Sequence, residues 1–546
     1  MANSAPSPDT PQLDPDLIAD LAADLAQASW FVGHVDSLLG GRAREALTRD
    51  QRVPALLELR DSADPAALLT RLFVLGSTEE QSDVDEALPA TLAEGLVALG
   101  LARVEDGLVA PLFDLRPHAA DLPDGEHHWW IASDLGETTT GRPLAPDHVL
   151  GIGGATTSLL TMTIRDHVDS ALDIGTGCGV QALYLATHAE RVVATDLSAR
   201  ACAITTFNAA LNGVDLDVRQ GSLFEPVAGE RFDLVVSNPP FVITPQSVRD
   251  GGPGLLEYRD GGMDRDTLVA TVVRDVSDHL TPGGTAQLLA NWEIPAALDP
   301  DTEWSSRVAG WLAGTDLDAW VVQRDVLDPA RYVEMWMRDS GGSLQGRDEW
   351  EATYSRWLED FDGAGVGAVG MGFLALRAPS SPSGAATPRP TTPTDEGGPA
   401  LVDGEDPRAG GTPGTQGDPA RVFEEVLGGR VPRGEDVKRA LATLAAPVGL
   451  WDLHPVRASD VREERHYVPG AEDPELIVLH QGGAMGRSLR VGSATAALVG
   501  ACDGELSLSQ IVVAIAVLTG QDASDLREQV GEPVVQMLRA GMLTTD

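Results

Sequence analysis

Leu172-Asp173-Ile174-Gly175-Thr176-Gly177-Cys178-Gly179 is the stretch on which the fold turns. The run Ser170 to Gly175 reads as a strand, and a helical stretch, Val180 to His188, follows the glycines directly. Glycines at such a point let the backbone turn tightly and approach a ligand closely, at the carboxyl edge of the sheet where open α/β folds bind cofactors. Taken alone, the turn fits a dinucleotide site or a structural bend equally well. Working outward, further strand-like runs occur at RVVATDL, LDVRQG, FDLVVSN, GGTAQLLA, AWVVQRDV, YVEMWMRD and GMGFLALR, with helical stretches between most of them. Strands alternating with helices predict a parallel sheet covered on both faces, with the last two runs pairing antiparallel at one edge. The expectation for residues 148–377 is therefore a doubly wound α/β domain.

The ends of the next strands carry ligand-type residues. Asp196 closes RVVATD, 23 positions after Asp173, where a carboxylate can accept hydrogen bonds from both hydroxyls of a ribose. Capping the helix that follows would be its structural role, but Ser198 can do that instead. A third strand ends at Gln220-Gly221-Ser222-Leu223-Phe224, and a fourth runs into Asn238-Pro239-Pro240-Phe241. Ahead of the first motif, His148 to Thr157 is a glycine-rich run that reads either as a lid over the site or as an interdomain turn.

At these spacings the domain resembles the class I S-adenosylmethionine-dependent methyltransferases that carry an Asn-Pro-Pro-aromatic tetrapeptide. It is similar to the HemK-like release-factor glutamine methyltransferases and to the small-domain RNA methyltransferases. The likeness covers residues 148–377. The loop Tyr258-Arg259-Asp260-Gly261-Gly262-Met263-Asp264 tilts it toward the HemK-like branch. The resemblance implies a seven-stranded Rossmann-like domain with S-adenosyl-L-methionine as cofactor, held by Asp173, Gly175, Thr176, Gly177, Gly179, Asp196, Leu197, Ser222, Leu223 and Asn238. Asp173 would hold the methionine end, Asp196 the ribose, and Leu223 or Phe224 would pack on the adenine. Ser222 departs from the Asp common at that position, which points to weaker cofactor affinity.

It also implies a catalytic tetrapeptide, Asn238, Pro239, Pro240 and Phe241. An amide or exocyclic amine nitrogen has a delocalised lone pair, so it must be held in line with the sulfonium methyl and made more nucleophilic. Asn238 Oδ1 and the Pro239 carbonyl can accept its two N–H groups while Phe241 stacks on the planar group. Rate enhancement would then come from orientation and preorganised dipoles.

The remainder of the 546 residues divides around this domain. Residues 1–115 show helical periodicity and then two short strands meeting at Asp106-Gly107, a favoured hairpin turn; helices followed by a hairpin resemble a winged helix, or form a generic helical cap. Residues 116–147 read as a connector. Within it His127-His128-Trp129-Trp130 suggests packing rather than metal, since adjacent histidines in a strand face opposite ways. Residues 378–419 are dense in Pro, Gly, Ser and Thr and are expected to be a disordered linker. Residues 420–546 read as a small, helix-rich, winged-helix-like domain. No metal site is expected, because Cys178, Cys202 and Cys502 are too few and too scattered.

Charge constrains the acceptor. Lys plus Arg number 39 against 83 for Asp plus Glu, a formal charge of −44, and residues 151–377 hold 16 Arg against 33 acidic residues. Such a surface repels phosphates. A protein acceptor, such as the glutamine of a translation factor, therefore stands ahead of an RNA or DNA base. Behind both come a non-catalytic cofactor-binding scaffold and a small-molecule methyltransferase. The absence of an apolar run of about 20 residues argues against an integral membrane protein, and the N-terminus reads as no secretory signal, so a cytoplasmic address is expected.

Overall fold

The computed structural model describes residues 10–123, 125–142, 144–245, 263–299, 302–339, 346–380 and 419–545. Residues 258–262 of the acidic loop, and almost all of the linker, lie outside the described residues.

The centre of the molecule is a mixed sheet of eight strands: β1 (Val168–Ile174), β2 (Ala189–Asp196), β3 (Asp217–Gln220), β4 (Phe232–Ser237), β5 (Leu280–Pro295), β6 (Asp318–Leu327), β7 (Val366–Arg377) and β8 (Arg421–Glu425). Their order is β8-β6-β7-β5-β4-β1-β2-β3. Strands β1 to β5 pair in parallel, whereas β7 runs antiparallel to both neighbours. Ala171-Leu172, Val192-Val193-Ala194 and Leu234-Val235-Val236 are buried runs with no polar alternation, as strands covered on both faces require. One face packs Trp292, Trp304 and Leu268; the other packs Trp320, Phe373 and Leu185.

Two expectations are corrected. The sheet has eight strands, not seven, because Arg421–Glu425 pairs in parallel with β6 from Ala319↔Arg421 to Gln323↔Glu425. The run YVEMWMRD is not a strand but part of the helix Pro329–Asp339, so the antiparallel strand is β7, inserted between β5 and β6 rather than at an edge. Tyr332, Val333 and Met337 bury one face of that helix. A spacing of four places Val333 and Met337 on one stripe with Tyr332 on its flank, and the β-branched and aromatic composition yields to this packing.

In the N-terminal region Asp14 caps helix Pro15–Gln27, its side chain accepting from Asp16 and Leu17 N–H. The strands Ala102–Glu105 and Leu108–Pro111 meet at Asp106 and Gly107, both with positive φ (52° and 80°), the geometry of a two-residue hairpin turn. A second, longer hairpin, Phe113–Leu122 with Gly125–Asp134, occupies much of the stretch read as a connector. Trp129 and Trp130 are both buried in it; Trp130 Nε1 donates to the Trp30 carbonyl (2.9 Å), and Trp129 packs edge-on against Tyr184 (4.9 Å between ring centroids). The N-terminal core is thus continuous with Leu183, Tyr184 and Phe207 of the central domain. Beyond β8, helices Ser493–Gly500, Leu508–Thr519 and Ala523–Ala540 pack on the antiparallel strands Val461–His466, Leu476–Gln481 and Ser488–Val491.

Candidate functional site

Register alone assembles the site. Ile174 of β1 lies opposite Thr195 of β2 and Ser237 of β4, and Asp196 lies opposite Gln220 of β3. One step further along each strand, Gly175, Asp196, Asn238 and Gly221 must emerge at the same carboxyl edge. The chain leaves β1 toward β2 and β3 but enters β4 on the other side, so this edge is the topological switch point where open α/β sheets bind ligands. Ser237 Oγ donates to the Ile174 carbonyl (2.9 Å) and ties the two strand ends together.

A cavity of about 390 Å³ opens there. Of the residues singled out in the sequence, Gly175, Thr176, Gly177, Asp196, Leu197, Ser222, Leu223, Asn238, Pro239 and Pro240 line it. Three do not. Asp173 sits beneath it, 1% exposed. Gly179 is structural: at φ 84° a Cβ would stand 2.8 Å from Thr205 Cγ2, so this turn and the Thr205 helix can close together only on glycine. Phe241 lies on the far side of the tetrapeptide, bordering a second cavity of about 320 Å³ with Asn291 and Arg324. Phe224 also faces away, stacked on the His279 imidazole at 4.4 Å. His148 to Gly151 form a wall of the first cavity.

The polar atoms around the cavity are unusual in having so few partners. Both Asp173 oxygens, Thr176 Oγ1, Thr195 Oγ1 and Asn238 Oδ1 are buried without a hydrogen bond. Buried polar groups are ordinarily satisfied, so a cluster of unsatisfied ones around one cavity is what a polar ligand would complete. Asp196 is differently placed: Oδ2 accepts from Gly177 N–H (3.0 Å) and Oδ1 from Ser198 N–H (2.9 Å). Ser198 caps helix Ala199–Leu211, leaving the Asp196 carboxylate facing the cavity with lone pairs to spare. These groups fit a nucleoside carrying an amino-acid arm: open space over Gly175 and Gly177, an acid at the ribose position and a second acid deep below.

Burial pushes the Asp173 carboxyl up to about 7, against the pull of the nearby Thr176 hydroxyl. Burial also raises Asp196, opposed by the backbone N–H groups it accepts from. A carboxyl raised on folding binds its proton more tightly in the folded chain, so its contribution to stability is present below about pH 4 and is lost as pH rises to about 7. Asp173→Asn should therefore melt close to wild type near pH 4 and above it near pH 7 in ligand-free protein. Parallel melting curves across that range would show that Asp173 does not carry the shift.

Among the described residues no three His, Cys, Asp or Glu side chains are grouped to hold a metal, and no helix is long and apolar enough to cross a membrane.

Comparison with known proteins agrees with the geometry. Residues 153–250 match the methyltransferase small domain family, and residues 27–112 match a family described only as a domain of unknown function, DUF7059. The release factor glutamine methyltransferase of Geobacter sulfurreducens is 38% identical over 126 residues, 22% of this chain and 44% of that protein. The ribosomal protein uL3 glutamine methyltransferase of Bradyrhizobium diazoefficiens is 32% identical over 178 residues, 29% of this chain and 55% of that protein. The ribosomal RNA small subunit methyltransferase C of Citrobacter koseri is 28% identical over 284 residues, 51% of this chain and 75% of that protein. The chain thus spans about half the length of the two glutamine methyltransferases. Its central domain is an S-adenosylmethionine-dependent methyltransferase fold.

Proposed function

We propose that the chain is an S-adenosylmethionine-dependent N-methyltransferase acting on a planar amide nitrogen, the side chain of a protein glutamine. The observation that carries this reading is Asn238 Oδ1, a buried acceptor without a partner, lining the same cavity as Gly175, Gly177 and Asp196. The cofactor supplies an electrophilic sulfonium methyl; the chain supplies position. Asp196 would accept from the ribose hydroxyls, Asp173 beneath the cavity would meet the ammonium of the amino-acid arm, and Leu223 would pack at the adenine end beside Ser222. Asn238 Oδ1 accepts one N–H of the acceptor amide and the Pro239 carbonyl the other. This holds the nitrogen in line and leaves its lone pair toward the methyl. The two prolines keep the loop rigid, so little reorganisation is left for the moment of reaction. The acceptor would enter from the side of Phe241 and the second cavity.

The net charge of −44 supports a protein acceptor over a polyanion. An RNA base is the second reading, supported by the 284-residue overlap with a ribosomal RNA methyltransferase. The chemistry at Asn238 is common to both. Methyl transfer from labelled S-adenosylmethionine into a cell extract, followed by separation of protein, RNA and small molecules, decides between them. Label in protein, located on glutamine by mass spectrometry, is expected; label confined to RNA would overturn the glutamine reading. Asp196→Ala should weaken cofactor binding about 30- to 100-fold, the loss of charge-assisted hydrogen bonds to ribose. Calorimetric titration with S-adenosylhomocysteine checks this, and affinity within threefold of wild type, roughly 0.6 kcal/mol, would remove Asp196 from the site.

A further inference from the structure

One wall of the first cavity is held from outside the central domain. Asp134, the last residue of the long N-terminal hairpin, donates its N–H to the Val149 carbonyl (3.0 Å) and accepts the Val149 N–H on Oδ2 (2.8 Å). The same carboxylate is gripped by Arg200 in the first turn of helix Ala199–Leu211, and both side chains are buried, 7% and 8% exposed. A further residue of that helix, Asn208, and the residue that caps its C-terminus, Asn212, hold the hairpin's backbone. Asn208 accepts from Ala132 N–H (2.8 Å) and donates to its carbonyl (2.9 Å); Asn212 does the same at Trp130 (2.8 and 2.8 Å). Spacings of eight and four put Arg200, Asn208 and Asn212 on one helix face, which therefore docks the hairpin strand at every second residue, Asp134, Ala132 and Trp130. This is the helix that begins directly after Asp196. Between these contacts Gly151 rests on Ser133: a Cβ on Gly151 would stand 2.8 Å from Ser133 Oγ and 3.6 Å from Ser133 Cβ.

We infer that the end of the N-terminal hairpin is a positioning element for the methyl donor: the two Asp134–Val149 hydrogen bonds set where the wall His148–Gly151 stands, and so set cofactor affinity, while Ser133 is only the surface on which Gly151 rests. The N-terminal region is then part of the cofactor site, not only an arm that recognises substrate. By linkage, a partner that shifts this hairpin on binding changes cofactor affinity, and the cofactor changes the partner's affinity by the same factor. The inference rests on the cavity being the cofactor site proposed above.

The test is titration of the full chain with S-adenosylhomocysteine, read by calorimetry, for Gly151→Ala, Ser133→Ala and the double variant. A methyl forced against Ser133 Oγ displaces the wall, so Gly151→Ala should weaken binding about tenfold. Ser133→Ala alone should stay within about twofold, and the double variant, with the obstructing oxygen gone, should return to within about threefold of wild type. Gly151→Ala binding as wild type, or a double variant as weak as Gly151→Ala, overturns the inference, the latter because the methyl would then be acting on the ligand itself. A control far from the cavity, Glu424→Gln, lowers stability by breaking a buried ion pair of β8. Its affinity should stay within about twofold, and a tenfold loss there would mean that general stability, not the wall, is being read. Wild-type protein that fails to bind at all would sink the cofactor reading instead, which keeps the two failures apart.

Discussion

Alanine at Asn238 is expected to lower methyl transfer roughly 10²- to 10³-fold while leaving S-adenosylhomocysteine affinity within a few-fold of wild type. The size follows from what the side chain is asked to do. An amide nitrogen is a poor nucleophile, and the positive charge that builds on its N–H groups as the methyl arrives must be met by an acceptor already in place. Asn238 Oδ1 is buried, has no competing partner, and follows Ser237, whose hydroxyl is anchored on the Ile174 carbonyl. The Ser237 anchor therefore fixes where the Asn238 backbone stands before the acceptor enters, and Oδ1 is free to receive it. Asn238→Asp separates geometry from charge: a carboxylate of the same shape keeps one acceptor oxygen but must be buried as an anion, so activity should be partly retained and fall off at low pH. Measured as label incorporated per mole of enzyme under single-turnover conditions, a loss of less than tenfold for Asn238→Ala would show that the tetrapeptide is only a turn. Unchanged affinity is the second half of the result, because a collapsed cavity would lose ligand and activity together.

The parts of this site that were legible in the sequence are those where local chemistry and strand ends coincide. Gly175, Asp196, Ser222 and Asn238 each stand at or just past the last residues of a strand-like run, apolar in all but the short Asp217–Gln220, and parallel register brings such ends to one edge whatever the intervening helices do. The orientation of Phe241 was not legible, because one residue past two prolines the chain's direction is set by packing on Trp336 (6.1 Å, edge-on) rather than by the motif. Helix Pro329–Asp339 reads as a strand because Tyr332, Val333 and Trp336 favour strands locally; burial of one face against Phe361 and its neighbours overrides that preference. The hold of Arg200, Asn208 and Asn212 on the hairpin joins residues 66 to 82 positions apart, and no local pattern announces it.

The eighth strand was hidden for the same reason, and it carries the second large effect. Arg421-Val422-Phe423-Glu424-Glu425 offers only two apolar residues and follows a Pro- and Gly-rich segment, so nothing nearby marks it as a strand. Beyond its pairing to β6, buried charge holds it. Glu424 accepts from Trp320 Nε1 of β6 (3.1 Å), from Arg487 Nη2 (2.6 Å) and from Arg539 Nη1 (3.2 Å), and the two arginines are 8% and 6% exposed. One carboxylate thus joins the central sheet to a loop and a helix of the C-terminal region. Burial already disfavours the charged form of Arg487, and Glu424 is the principal group opposing this. Glu424→Gln keeps the volume and can keep the Trp320 hydrogen bond, yet it leaves two buried guanidinium groups facing an uncharged amide. Breaking a buried pair from one side costs about 3–5 kcal/mol. Replacing Trp320 by Phe removes a single hydrogen bond and some packing at the same strand, which should cost less, about 1–2 kcal/mol. Urea unfolding should therefore show an earlier transition for Glu424→Gln than for Trp320→Phe, with hydrogen exchange rising first at 421–425 and along Ala523–Ala540. The central sheet should stay protected, because β1 to β5 make their own parallel pairs. Equal midpoints for wild type and Glu424→Gln would mean that β8 is held by its backbone pairing to β6 alone, with the buried charges contributing no net stability.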